Sequence, residues 1–153
     1  MNNKYYCVSG VVKINDKILF VRHTYGTAKN RILIPGGFVK EKEMPEVAVE
    51  REIFEETGVT AKATSILSIQ FKPEQWCIIF LMDYVKGKPH SDNSENSEVL
   101  LLTPEEAIQR DDITNLSRKI MQTLIEKNFT LLRKSDYFAQ TSKPNEYSIF
   151  GVL

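Results

Sequence analysis

The 153-residue chain balances 20 lysines and arginines against 20 aspartates and glutamates, with 42% hydrophobic residues. That length suits one compact domain with a single core, and the neutral balance gives no bulk attraction to nucleic acid or to an anionic membrane. No apolar run approaches the ~20 residues needed to cross a bilayer, and residues 1–10 lack the apolar centre of a signal peptide, so the cytoplasm is the expected compartment.

Residues 5–14 read as a strand, Asn15-Asp16-Lys17 as a turn and 18–21 as the returning hairpin partner. A polar loop over 24–30 contains Gly26; a short apolar strand over 32–34 and the glycine pair of Pro35-Gly36-Gly37 follow. Residues 44–57 predict a helix of good helix formers, with Pro45 tolerated in the first turn and Gly58 suited to the left-handed stop. Two strands are predicted over 66–71 and 76–85, a polar loop over 87–97 and a short buried strand over 99–102. Thr103-Pro104-Glu105-Glu106 has the composition of a capped helix start, Thr103 as N-cap and Glu106 closing a capping box. A further helix covers about 116–127. Cys7 and Cys77 lie in apolar, strand-like segments and read as buried thiols rather than as a disulfide or a metal site. Strands first, then a helix, more strands and late helices predict a mixed α/β layered fold. In the tail, Phe129, Tyr137, Phe138, Tyr147 and Phe150 alternate with polar residues. Packing back on the core, with added strands as one way to do so, is favoured over a dimer contact or a substrate cover, because apolar side chains need burial.

The helix over 44–57 carries the candidate chemistry. Glu52, Glu55 and Glu56 stand at i, i+3 and i+4, on one helix face. Like charges at that spacing repel by roughly 0.2–0.5 kcal/mol per pair on an exposed helix, and the helix dipole disfavours negative charge at a C-terminal end. A solvated acidic face is the bland reading. A hard cation bound by oxygen would relieve the repulsion, and Mg²⁺ takes a few carboxylates together with substrate phosphate oxygens. Gly36 and Gly37 let a backbone carbonyl come close to an ion or ligand.

The spacing within 37–59 is more specific than the carboxylates alone. Gly37 is followed after five residues by Glu43, and after seven more by Arg51, Glu52, Ile53, Glu55, Glu56, Gly58 and Val59. This fills every fixed position of G-x5-E-x7-R-E-U-x-E-E-x-G-U, where U is a bulky aliphatic residue. The chain therefore resembles the Nudix hydrolase family, most strongly over 30–59 and in outline from about 5 to 128. The resemblance implies an α/β/α sandwich with a mixed central β-sheet over residues 1–128, with 129–153 as an extension packed on the same domain. It implies metal-dependent cleavage, with Mg²⁺ or Mn²⁺, of a nucleoside diphosphate linked to another moiety. Glu52 and Glu56 are then expected as metal ligands, with Glu55 sharing the shell and the Gly37 carbonyl joining it. Arg51, whose guanidinium stays protonated and is no base, would hold a glutamate in place, and Glu43 would be an ion-pair partner near the helix start. Ala48, Val49 and Ile53 are expected in the core, and Val59 just beyond the Gly58 stop. The general base is either a box glutamate, Glu52, or a later loop glutamate, with Glu95 favoured over Glu98.

The chain departs from common family usage at non-fixed positions: Ile32 stands where many members have tryptophan, and Lys40 and Lys42 where glutamate and glycine are usual. Both lysines are expected to be exposed. Phe38, Phe71 and Trp76 are candidates for stacking on a nucleobase, although each also fits an ordinary core position. Arg22 and His23 end a strand facing the expected site, which makes Arg22 a candidate contact to phosphate or ribose. Pro73 falls slightly short of the position where a proline marks ADP-ribose hydrolases, which favours ADP-ribose or a nucleotide sugar as the small-molecule substrate. The alternatives are (d)NTPs, dinucleoside polyphosphates and, in another class, a non-catalytic nucleotide sensor. Retention of every box glutamate speaks against the sensor, and the neutral charge against long RNA.

Overall fold

Strand β1 (Tyr6–Ile14) divides two apolar layers, because successive side chains of a strand point to opposite faces. Val8 and Val12 join Ala48, Val49 and Ile53 on one side, and Val11 joins Ile113, Ile120 and Met121 on the other. Both faces of the sheet are thus covered by helices, the α/β/α arrangement expected from the sequence. The computed structural model describes residues 5–136, 143 and 147–151, so Tyr137 and Phe138 lie outside the described residues.

After β1 come β2 (Lys17–His23), β3 (Ile32–Leu33), β4 (Gly36–Phe38), α1 (Pro45–Thr57), β5 (Thr60–Lys72) and β6 (Gln75–Lys86). Then follow β7 (Asn96–Leu102), α2 (Pro104–Ile108), α3 (Asn115–Glu126), β8 (Leu132–Lys134) and β9 (Phe150–Gly151). Among the described residues the sheet runs β3-β2-β1-β6-β5-β8-β9, with β4 paired to β1 and β7 to β2. The β1–β6 pair is parallel and the other strand pairs are antiparallel, which makes the sheet mixed.

Local chemistry explains most boundaries. Asn15, at φ 57°, turns β1 into β2. Thr103 accepts from the Glu106 backbone and Glu106 returns the bond, a complete capping box on α2. Helix α3 starts one residue earlier than predicted, because Thr114 caps it by accepting from Ser117. Three features differ from the sequence reading. Strand β5 begins at Thr60 rather than 66, and register shifts at Ala63/Ser65 and Ile66/Ser68 break the alternation that would have marked it. Strand β7 begins at Asn96, inside the predicted loop, where it pairs with His23 of β2. Strand β4, not predicted, pairs Gly36 with Ser9 and Phe38 with Cys7.

The tail adds two short strands at the far edge. Leu132 pairs with Ile66 of β5, and Phe150 of β9 packs edge-on against Phe80, centroids 5.6 Å apart. Cys77 is buried and Cys7 half-buried, directly opposite one another across β1 and β6 with both thiols free. No helix among the described residues is long and apolar enough to cross a membrane.

Candidate active site

Helix α1 is positioned by its apolar stripe. Ala48, Val49 and Ile53 are fully buried against the sheet. Residues four apart share a helix face, so the Ala48 row continues through Glu52 and Glu56 and carries both carboxylates inward, to 9% and 2% exposure. Glu55, off that row, stays exposed. The helix ends where Gly58, at φ 71°, returns its N–H to the Phe54 carbonyl.

Arg51 organises the near side of the site. Its Nε and Nη2 donate to the two oxygens of Glu43 at 2.7 and 2.9 Å. Nη1 donates to Glu52 Oε1 at 2.7 Å and Glu55 Oε2 at 3.0 Å, and Nη2 also reaches the Phe38 carbonyl at 3.0 Å. All five guanidinium N–H groups are thereby used. Hydrogen bonding to Arg51 holds the Glu43 carboxyl below its ordinary value, and the same contact pushes the Arg51 guanidinium up.

Glu56 is in the opposite situation. Its Oε2 accepts only from the Gly36 N–H, at 3.3 Å, and its Oε1 is buried without a partner among the described residues. Burial, reinforced by the neighbouring Glu52 charge, pushes its carboxyl up to about 8. Burial also raises Glu52, against the pull of Arg51. Gly37 closes on this pair: a Cβ there would overlap the Glu52 carboxylate.

Glu95 is exposed at the mouth of β7, and its charge is among those raising Glu52 and Glu56. Glu98 is turned to other work, pairing with Arg22 Nε at 2.8 Å. Arg22 also binds Asp112 at 2.9 Å and the Asn30 carbonyl at 2.8 Å. Arg110, with help from Arg22, holds Asp112 far below the usual carboxylate range. The expected phosphate-contacting arginine is therefore engaged in an ion-pair network.

The three aromatic candidates separate. Phe38 lines a cleft of about 330 Å³ with Ser9, His23, Tyr25, Leu33 and Gly37. Phe71 and Trp76 line another hollow, of about 470 Å³, with Tyr6 and the exposed Lys40 and Lys42. There they meet each other edge-to-face, centroids 5.2 Å apart. Tyr25, missed in the sequence, stacks on His23 at 5.0 Å and enters the Phe38 cleft. Its loop gave no periodic signal that would have singled it out.

No three acidic, histidine or cysteine side chains converge as a ready-made cation shell among the described residues. Arg51 draws Glu52 and Glu55 to itself. The donor chemistry nevertheless fits a hard cation: a partnerless buried oxygen on Glu56, the raised Glu52 carboxyl beside it, and the bare Gly37 backbone, where a Cβ would overlap the Glu52 carboxylate.

Comparison with known proteins bears on the family and the fold. Residues 6–124 match the profile of the NUDIX domain. The chain is 34% identical over 87 residues to a Methanocaldococcus jannaschii protein named ADP-ribose pyrophosphatase, covering 53% of this chain and 52% of that protein. It therefore spans about half the length of that relative. A Nudix hydrolase structure from Nitrosomonas europaea superposes with a TM-score of 0.74 at 17% identity, covering 84% of this chain and 73% of that one. A bifunctional NMN adenylyltransferase/ADP-ribose pyrophosphatase from Francisella tularensis, complexed with AMP and a manganese ion, superposes at 0.66 with 21% identity, over 81% of this chain and 42% of that one. At such identities the structural likeness is one of fold. Because the profile runs through the stretch that holds the nine fixed positions and the sheet that carries them, the chain belongs to the Nudix hydrolase family.

Proposed function

We propose that the chain is a divalent-metal-dependent pyrophosphohydrolase cleaving a nucleoside diphosphate linked to another moiety, with ADP-ribose or a nucleotide sugar as the favoured substrate. The observation that carries this reading is the buried Glu56 carboxylate, partnerless at Oε1, beside Glu52 and the Gly36–Gly37 backbone. Glu52, Glu55, Glu56 and the Gly37 carbonyl would hold Mg²⁺ or Mn²⁺. When bound, the cation neutralises phosphate charge and lowers the pKa of water.

The residues of the chain divide the remaining work. Arg51 orients Glu52 and Glu55 while anchored to Glu43. Glu95 is the preferred general base. Its carboxylate has no hydrogen-bond or ion-pair partner among the described residues, whereas Glu52 is held by Arg51. In this scheme water attacks phosphorus, Glu95 takes its proton, and the bridging oxygen departs with the leaving phosphate. Tyr25 and Phe38, in the cleft beside Gly37, offer ring faces to a nucleobase. The name of the M. jannaschii relative supports the ADP-ribose preference.

A panel of ADP-ribose, nucleotide sugars, dinucleoside polyphosphates and (d)NTPs, with Mg²⁺ or Mn²⁺ and chromatographic product identification, tests the proposal. Metal-dependent cleavage of ADP-ribose to AMP and ribose phosphate is the expected result. Folded protein that binds nucleotides but cleaves none of the panel would favour the sensor reading.

A further inference from the structure

Asn96 is fully buried, yet it is a polar residue with a split environment. Its Nδ2 donates to the Glu56 carbonyl at 2.8 Å, while its Oδ1 has no partner among the described residues. The Glu56 carbonyl is one of the last in α1, where the helix provides no internal donor. The next carbonyl, that of Thr57, accepts from the His90 N–H at 2.9 Å. The segment over 90–96 therefore caps the helix end that carries the acidic cluster, at two consecutive carbonyls.

The same segment is tied internally and on its far side. Asp92 Oδ1 accepts from the N–H groups of Ser94 and Asn96, at 2.9 and 3.1 Å. Ser91 Oγ accepts from Asn93 and donates to the Asn96 carbonyl, both at 2.9 Å. Just beyond β2, Thr24 donates its N–H to the Glu95 carbonyl at 3.1 Å and its hydroxyl to the Ser94 carbonyl at 2.8 Å. The Glu95 carbonyl is thus held by Thr24 and the residues on either side of it by Asp92, while the Glu95 carboxylate has no partner among the described residues.

We infer that Asn96 is a positioning residue: it locks the 91–96 segment onto the C-terminal turn of α1 and so sets Glu95 opposite Glu52 and Glu56. The inference rests on the proposed hydrolysis and on Glu95 as its base. The amide supplies the donor that the Glu56 carbonyl requires. An aspartate would set a carboxylate against that carbonyl.

A double-mutant cycle tests it on the substrate cleaved best. Asn96→Ala should lower kcat by about tenfold or more with KM little changed, as expected when a catalytic group is misplaced. In a Glu95→Gln background the same substitution should change kcat less than about twofold, because the group it positions is already disabled. Mn²⁺ affinity of the purified Asn96→Ala protein, read by electron paramagnetic resonance, should stay within about threefold of the parent, since the box carboxylates remain in place. Multiplicative losses in the double mutant, or loss of Mn²⁺ binding in Asn96→Ala alone, would overturn the inference and leave Asn96 a purely structural cap. Undiminished turnover in Glu95→Gln would overturn the base assignment and the inference with it. If Asn96→Ala does not fold, Thr24→Val carries the same cycle, since it loosens the segment by removing the hydroxyl's bonds to the Ser94 and Glu95 carbonyls while leaving the core closed.

Discussion

Arg51 grips Glu43 side-on, Nε to Oε1 at 2.7 Å and Nη2 to Oε2 at 2.9 Å, and this one contact ties the start of α1 to its acidic end. The remaining Nη1 hydrogens are thereby aimed at Glu52 and Glu55. A lysine has neither the fork nor the reach to serve both sides. Arg51→Lys should therefore lower stability by about 2 kcal/mol, below the ~3–5 kcal/mol of a fully buried broken pair because the site is partly solvated. It should also lower kcat, with Glu52 and Glu55 released together. Urea unfolding and steady-state kinetics on one preparation check both effects.

Gly37 has no room for a side chain, since a Cβ would overlap the Glu52 carboxylate. Gly37→Ala should leave the melting temperature within a few degrees, because the clash is with a side chain at the cleft. It should cut turnover by about tenfold or more, because Glu52 must move. Wild-type turnover in that variant would show that the position of Glu52 does not matter.

Glu56 makes stability depend on pH in a definite direction. Its carboxyl sits at about 8 in the folded, metal-free chain against an ordinary 4.5. Between those values the folded state binds the proton that the unfolded state has released, so stability falls as pH rises through the window. In EDTA the Tm should drop between pH 5 and pH 8.5, by roughly 5 °C or more. Excess Mg²⁺ should offset the drop by favouring the ionised site, and Glu56→Gln should flatten it. A Tm in EDTA that rises across this window would contradict the burial of an uncompensated carboxylate.

The extension is expected to stabilise the edge of the sheet. Removing residues after Asn128 strips β8 from β5 and Phe150 from Phe80, leaving an unpaired strand edge. The truncated chain should melt lower and self-associate more, as followed by calorimetry and light scattering. Retained stability with loss of an existing dimer would instead assign the tail to assembly.

Much of this molecule was legible before its structure, and the parts that were not share a physical cause. Helix α1, its Gly58 stop and the capping box at Thr103 depend on neighbours in sequence, and local pattern reports them well. Strand β4 and the early start of β7 depend on partners: Gly36 is a strand residue because Ser9 lies opposite, and Asn96 because His23 of β2 does. Bulges in β5 hid its first half in the same way. The candidate site divides along the same line. The spacing of Glu52, Glu55 and Glu56 is visible in the chain. The engagement of Arg22 by Glu98 and Asp112, and the placing of Phe71 and Trp76 in a different hollow from Phe38, arise from strand register and turns.

The most direct test of the central claim is hydrolysis of ADP-ribose with Mg²⁺ or Mn²⁺ by the parent chain and by Glu56→Gln, each first shown to be folded. Cleavage by the parent that needs the metal, with turnover in Glu56→Gln reduced by about a hundredfold or more, is the predicted result. Equal turnover in the two proteins, or cleavage undiminished by EDTA, would contradict the assignment of the buried carboxylate to a catalytic cation.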